Sequence, residues 1–464
     1  MPFQKRDIKN FSALFCAGRD GFIMENKTFK KIAVITSGGD AQAMNAAVRA
    51  IALSAQAMGI KAVGINEAYY GMTHMREDDF IDLDIWKVDN IIASGGTILK
   101  SARFPEFKEK ENVMKAAENL RRAGIDGLVA VGGDGTFRGA SDLLNIAGIP
   151  CIGVPATIDN DITATDYSIG FDTAMNETMH MTDCLRDTCN SHKRCNIVET
   201  MGRGAGYIAL YTGIAVGATA VIIPEKMNDF DKDSLIKRMI EARKAGKRSF
   251  IIMVSEGVMT ENSDAVHFIE ELNKFMSENA ELSFDEITDD DGKDEIKAKK
   301  AAAAKFAKDF HLTFNAAYGE QLQSDIEAQS KNAFKELYAE TGDIEYKDEY
   351  IETKFARYAH VVRGGSPTLR DRLIASQMGD LAVKELAAGK SNRVICMHNG
   401  RLTSMDFNDA MTVDKLYRNY NKGIVDEEKV NAMTDEQKEI YYRRIEELDR
   451  LYKLANTISE IGAE

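Results

Sequence analysis

The sequence is poor in cysteine, has no basic excess and contains no long apolar run. Six cysteines in 464 residues are too few for a disulfide framework. Cys184, Cys189 and Cys195 cluster, but spacings of five and six match no zinc pattern, and they read as reduced and mostly structural. The 59 basic side chains are outnumbered by 73 acidic ones, for a net charge of −14. That argues against a nucleic-acid or anionic-membrane partner, because either needs a broad basic surface. A small anionic ligand held by a few local arginines stays open. The N-terminal "MPFQKRDIKNFSALFCAG" mimics a weak signal peptide, but Asp7 and Asn10 interrupt it. No apolar stretch approaches membrane-span length, so a cytoplasmic protein is expected.

What is present is alternation. From about residue 30, the β-branched runs "KIAVI", "KAVGI", "GLVAVGG" and "PCIGVP" are separated mostly by helical segments. Such alternation predicts a parallel sheet covered by helices on both faces. Gly-rich turns lie after strands and before helices, where open α/β sheets bind ligands. After the helical "FDTAMNETMHMTDCLRDT", the runs "CNIVETMG", "TAVIIPE" and "SFIIMVSEG" predict a second sheet. The expected fold class is α/β: two doubly wound α/β domains with a cleft between them, plus a helical insertion in the second. Residues 27–170 with about 364–433 form the first domain, and 171–363 the second. The insertion, about 270–350, is charged, alanine-rich and short of β-branched residues. It reads as surface decoration or as a lid. Residues 1–26 form an N-terminal extension, with Met24 a second candidate start, and 434–464 a charged amphipathic surface helix.

The chemistry concentrates in the turns. "TSGGD" (36–40) has adjacent glycines, which let backbone amides approach an anion or simply make a turn. "VGGDGTFRGA" (131–140) sets Asp134 among Gly132, Gly133 and Gly135. A carboxylate among phosphate-binding glycines suits Mg²⁺ rather than phosphate itself. Lipid and NAD kinases carry similar loops, so the motif indicates a phosphate donor and not the acceptor. "SARFPEF" (101–107) offers Arg103 beside Phe104; Arg194 and Arg203 flank the run "CNIVETMG", and "AHVVRGG" adds His360 and Arg363. Each is singly a solvated charge or a phosphate clamp.

"VPATIDNDITATD" (154–166) runs an apolar segment into aspartates. In extended backbone, Asp159 and Asp161 point the same way with Asn160 turned aside. A metal ion or a proton in transit relieves their repulsion. The two readings are a general base acting on a hydroxyl and an Asx cluster capping the next turn.

Together "TSGGD", "GGTILKSARFPEF", "GGDGT", "TIDNDI", "TDYSIGFDTA", "VETMGRGAGY", "HVVRGGSP" and "DR" resemble the phosphofructokinase family, in family order, over roughly 30–270 and 352–400. The resemblance implies a dimer or tetramer. It also implies phosphoryl transfer from MgATP to the C1 hydroxyl of fructose 6-phosphate, giving fructose 1,6-bisphosphate. It implies Asp159 as the base, with Thr157 and Asp161 beside it, and Asp134 as the Mg²⁺-associated carboxylate. Gly38, Gly39, Arg103, Phe104, Gly135 and Thr136 fall at nucleotide positions. Met201, Gly202, Arg203 and Glu256 fall at sugar positions, and Arg203 also matches a group that steadies the transferring phosphoryl. Lys354, His360 and Arg363 match the hexose phosphate site. Arg194 and Lys354 complete a neighbouring subunit's site.

The departures are specific. Pyrophosphate users of the family resemble one another in an aspartate where Gly135 stands and a lysine where Ala156 stands; both positions here favour ATP. ATP users commonly have glycine at Ala156. Lys354 replaces an arginine, so a cation remains without its bidentate fork, and weaker hexose phosphate binding is expected. Arg49 and Arg186 match a nucleotide-responsive regulatory site, but Leu53 and Ile85 replace two of its arginines, which argues against ADP activation and phosphoenolpyruvate inhibition. The rivals are a pyrophosphate-dependent enzyme and a weakly active regulatory homologue.

Overall fold

The computed structural model describes residues 29–258, 318–319 and 321–459. The extension 1–26 and the first part of the insertion, through residue 317, lie outside the described residues. The strands are β1 (Lys31–Ser37), β2 (Lys61–Ile65), β3 (Phe80–Asp82), β4 (Gly127–Gly132), β5 (Cys151–Pro155), β6 (Cys195–Thr200), β7 (Ala220–Ile222), β8 (Phe250–Ser255), β9 (Thr353–Arg357), β10 (Arg393–His398) and β11 (Arg401–Asp406). Helices follow in chain order: α1 (Met44–Ala57), α2 (Ala68–His74), α3 (Ile85–Val88), α4 (Lys110–Arg122), α5 (Asp134–Ala147), α6 (Phe171–His192), α7 (Tyr207–Ala215), α8 (Lys232–Lys244), α9 (321–341), α10 (Leu369–Ala387), α11 (Phe407–Tyr420), α12 (Glu427–Asn431) and α13 (Asp435–Thr457).

Seven strands form one sheet in the order β11-β10-β5-β4-β1-β2-β3, and four form another in the order β7-β8-β6-β9. In the first sheet, alternate residues of a strand serve opposite faces. Ile32 and Val34 join one apolar cluster, whereas Ala33 and Ile35 join the other. Both faces are covered, which is why these strands read as unbroken apolar runs. Strand β1 pairs in parallel with β4 so that Ser37 lies opposite Gly132. From there the chain leaves β1 toward β2 on one side and β4 toward β5 on the other. This reversal opens a crevice beyond the carboxyl ends of β1 and β4.

Strands β6, β8, β9 and β7 are all parallel. The loops after β6, β8 and β9 therefore emerge at one edge. Strands β3, β9 and β11 escape the sequence reading. Two of them, β3 and β11, are antiparallel edge partners with half-exposed residues and carry no buried apolar run.

The tail differs from expectation. Helix α13 begins with a capping box, Thr434 and Gln437 satisfying each other's backbone amides. It is not a surface helix, because Ile440, Tyr441, Leu448, Leu451, Tyr452 and Ala455 are buried along one stripe. Ile440 and Tyr441 join one core cluster, whereas Leu448, Leu451, Tyr452 and Ala455 join the other. The helix packs against α11, which lies on β10 and β11 of the first sheet, and against α7 and β7 of the second. Among the described residues, no helix is long and apolar enough to cross a membrane.

Candidate active site

The donor-side loops are built where the crevice opens. A Cβ on Gly132 would sit 2.3 Å from Thr136 Oγ1 and 2.5 Å from the Ser37 carbonyl, so only glycine lets the two loops meet. Thr136 Oγ1 donates to that Ser37 carbonyl at 3.2 Å. A Cβ on Gly135 meets nothing within 4 Å, leaving open space above the start of α5. Gly38 holds φ at +86°, and its carbonyl accepts from Ser101 Oγ at 2.5 Å, which brings the "SARFPEF" segment alongside. Arg103 is exposed, and the Phe104 ring stands edge-on to Tyr70 and His74.

The aspartate-rich segment is a turn, not an extended strand, because β5 ends at Pro155 and Asn160 adopts φ +50°. Strand alternation therefore does not place the two carboxylates. Hydrogen bonds do. The Asp159 amide donates to Thr157 Oγ1 at 3.2 Å, and Asn160 Oδ1 accepts from the Ser168 amide at 2.9 Å. Asp159 is 6% exposed, and its Oδ1 has no hydrogen-bond partner. Burial, then the nearby Asp161 charge, push its carboxyl up to about 6 against the pull of Arg363 and Arg203. Burial also raises Asp161, opposed chiefly by Arg418.

The acceptor side comes from the second sheet. Glu256, just after β8, accepts from the Gly202 amide at 3.2 Å and the Arg203 amide at 2.7 Å. That grip fixes the loop following Met201 with Arg203 at φ +59°. His360 and Arg363 lie in a short 3-10 turn after β9. They line a cavity of about 380 Å³ with Asp40, Gly95 and Gly96. Arg363 donates from Nη1 to the Asp40 carbonyl at 2.9 Å and brings Nη2 to 3.9 Å from Asp159 Oδ1.

Two residues are not brought to this cleft. Arg194 precedes β6 and Lys354 opens β9, at the far ends of the strands whose near ends carry Met201 and His360. The seven steps along β6 from Arg194 to Met201 separate them by about 23 Å at ~3.3 Å per residue. There Glu352 binds Arg194 at 2.7 Å and Lys354 at 2.9 Å. The Arg194 hydrogen bond leads in holding the Glu352 carboxyl down at about 2.

One site residue escapes the sequence reading. Arg418, on α11, points its guanidinium at Asp134 (3.4 Å), Asp161 (3.6 Å) and Asp414 (3.7 Å). Burial pushes Asp414 up to about 7 although Arg418 opposes it. Nothing around Arg418 in the chain marks it, since "KLYRNY" reads as an ordinary amphipathic turn.

Asp134 heads α5 and also pairs with Arg138 at 2.9 Å. Among the described residues, no group of three or more acidic, histidine or cysteine side chains forms a metal cage. The donor set still fits Mg²⁺, because that ion takes one or two protein carboxylates and fills its octahedron with water and substrate phosphates. Asp134 supplies one at a glycine loop, and Asp161 shares with it the same guanidinium counter-charge.

A family model described as Phosphofructokinase matches residues 31–386. The chain is 37% identical over 382 residues to an ATP-dependent 6-phosphofructokinase of Ligilactobacillus salivarius, covering 82% of this chain and 93% of the relative. It is 39% identical over 381 residues to the ATP-dependent 6-phosphofructokinase of Lysinibacillus sphaericus, with 82% and 93% covered. Among solved structures, phosphofructokinase from Saccharomyces cerevisiae superimposes with a TM-score of 0.62 at 25% identity, covering 89% of this chain and 49% of the yeast chain. A pyrophosphate-dependent phosphofructokinase from Marinobacter aquaeolei shares the fold, with a TM-score of 0.56 at 18% identity over 82% of this chain and 84% of that one. With the glycine loops, the Asp159 turn and the Arg203 loop gathered around one cleft, this chain belongs to the phosphofructokinase family.

Proposed function

We propose that the chain phosphorylates fructose 6-phosphate at C1 with MgATP as donor, a step of glycolysis. The observation that carries this reading is the meeting of Asp159, from the first sheet, with Arg363 and Glu256-held Arg203, from the second. The homologues bearing the ATP-dependent name support the donor and acceptor.

Residues 27–170 with 364–433 are read as the ATP-binding unit, and 171–363 as the hexose phosphate unit. Gly38, Gly39, Arg103, Phe104, Gly135 and Thr136 bind the nucleotide, and the open space at Gly135 leaves room for it. Asp134 holds the metal, which when bound neutralises charge on the donor phosphates. Asp159 accepts the C1 hydroxyl proton; its raised pKa leaves it ionised at neutral pH and a stronger base than an ordinary aspartate. Thr157 orients the turn, and burial, with the Asp161 charge beside it, keeps that pKa high. Met201, Gly202 and Glu256 shape the sugar pocket, whereas Arg203 stabilises charge on the transferring phosphoryl. His360 and Arg363 bind the hexose phosphate. Little covalent chemistry falls to the protein, so positioning and charge neutralisation dominate.

Arg194 and Lys354 serve a neighbour's hexose phosphate site, so the active unit is a dimer or tetramer in the cytoplasm. Turnover of fructose 6-phosphate by purified protein, compared with ATP and with pyrophosphate, tests the reading. Activity with ATP alone supports it; preference for pyrophosphate assigns the chain to the other donor class, and no turnover with either leaves a regulatory homologue.

A further inference from the structure

Asp159 and Arg203 stand on loops from different sheets, after β5 and β6. Phosphoryl transfer needs the two in register to within a fraction of an ångström, and a residue behind them is built to do this. Arg444, on α13, is 1% exposed. Its Nη2 donates to the Asn160 carbonyl at 3.0 Å, at the left-handed residue between Asp159 and Asp161. Its guanidinium carbon lies 4.7 Å from the centre of the Tyr207 ring. Tyr207 is the first residue of α7, directly after the loop carrying Arg203.

The surroundings extend this junction. The Tyr207 hydroxyl shares a hydrogen bond of 2.7 Å with Tyr417, the residue before Arg418. The neighbouring Arg443 grips the far end of the same aspartate segment, reaching Asp166 at 2.8 Å. Glu447 lies 3.5 Å from Arg444 Nη1.

A purely structural contact does not need this residue. Burying a guanidinium whose Nε and Nη1 have no hydrogen-bond partner is costly, and an apolar side chain of similar volume often serves stability better. Only arginine presents a hydrogen-bond fork in its plane and a flat cationic face to a ring at once. The arrangement holds a carbonyl in one loop against a ring at the start of the helix that follows the other.

We infer that Arg444 is a positioning residue for phosphoryl transfer, tying the Asp159 turn to the Arg203 loop through the Asn160 carbonyl and the Tyr207 ring. It touches no reacting atom. The inference rests on the catalytic reading of Asp159 above.

The test uses the full-length chain with Arg444→Met, Arg444→Lys, Asp159→Asn and the double variant Asp159→Asn/Arg444→Met, with melting curves, KM for both substrates and kcat. For Arg444→Met, kcat is expected to fall about 10–100-fold while both KM values stay within about threefold. Arg444→Lys keeps the charge without the fork or the stack and recovers only part of the loss. The double variant loses less than the product of the two single losses, because the part of the Arg444→Met loss that comes from a misplaced base is already absent in Asp159→Asn. A folded Arg444→Met with unchanged kcat, or losses that multiply in the double variant, overturns the inference. If Arg444→Met does not fold, Arg444→Lys decides by the same split between kcat and KM. Near-normal turnover in Asp159→Asn defeats instead the reading of Asp159 as base.

Discussion

Arg363 brings its Nη2 to 3.9 Å from Asp159 Oδ1 while its Nη1 donates to the Asp40 carbonyl at 2.9 Å. One side chain from the second sheet thus touches both the candidate base and a donor-side loop of the first. Asp161 pushes the Asp159 carboxyl up, and Arg363 pulls it down. Burial sets most of the upward shift of Asp159, and these two charges tune it in opposite directions, so mutation can remove each singly.

The first expectation concerns Asp159 itself. Asp159→Asn keeps the shape of the turn but removes the proton acceptor. Turnover falls by about 10²–10⁴-fold, and hexose phosphate binding changes little. Steady-state kinetics with a direct binding titration checks both halves; near-normal turnover removes Asp159 from the role.

The pH profile gives a second. A base must be ionised, so kcat/KM declines as pH falls through its pKa, and the acid limb is expected at about 6. Removing a like charge makes ionisation easier, so Asp161→Asn moves the limb to lower pH. Removing an opposite charge does the reverse, so Arg363→Met moves it to higher pH. Profiles in which both variants shift the same way contradict this arrangement.

Donor choice follows from the space at Gly135, where a Cβ meets nothing within 4 Å. Gly135→Asp is therefore expected to fold normally and to raise KM for ATP by about tenfold or more, through occupied space and repulsion of phosphate. The hexose phosphate KM stays within about twofold. Equal loss for both substrates points to a disturbed α5 instead.

Arg194 and Lys354 predict complementation between subunits. Asp159→Asn and Arg194→Ala are each nearly inactive alone. In a hybrid dimer both defects fall in one site and leave the other whole, so random mixing restores about a quarter of wild-type activity. Mixed subunits that show no gain after verified co-assembly place Arg194 outside the neighbour's site.

The glycine loops and the Asp159 turn are legible in the sequence because their chemistry is local. A short loop between a buried strand and a helix needs glycine wherever a neighbour comes within 3 Å, as at Gly132, and that need leaves a contiguous signature. The strands of the first sheet are legible for a related reason: burial on both faces writes an unbroken apolar run. What contiguous text cannot carry is contact between distant segments. Asp159 and Asp161 are neighbours in any conformation, but a left-handed Asn160 rather than strand alternation aims them. Arg418 lies more than two hundred residues from Asp134 and Asp161, and Arg444 as far from the Asn160 carbonyl, on helices whose text reads as ordinary amphipathic surface. Arg444 is buried and Arg418 half-buried only because α13 and α11 fold back against these loops, and the energy of such a charge depends on what surrounds it rather than on its neighbours in the chain. Layers and candidate reacting groups are written in contiguous residues, whereas the charges that hold them come from segments that only folding brings together.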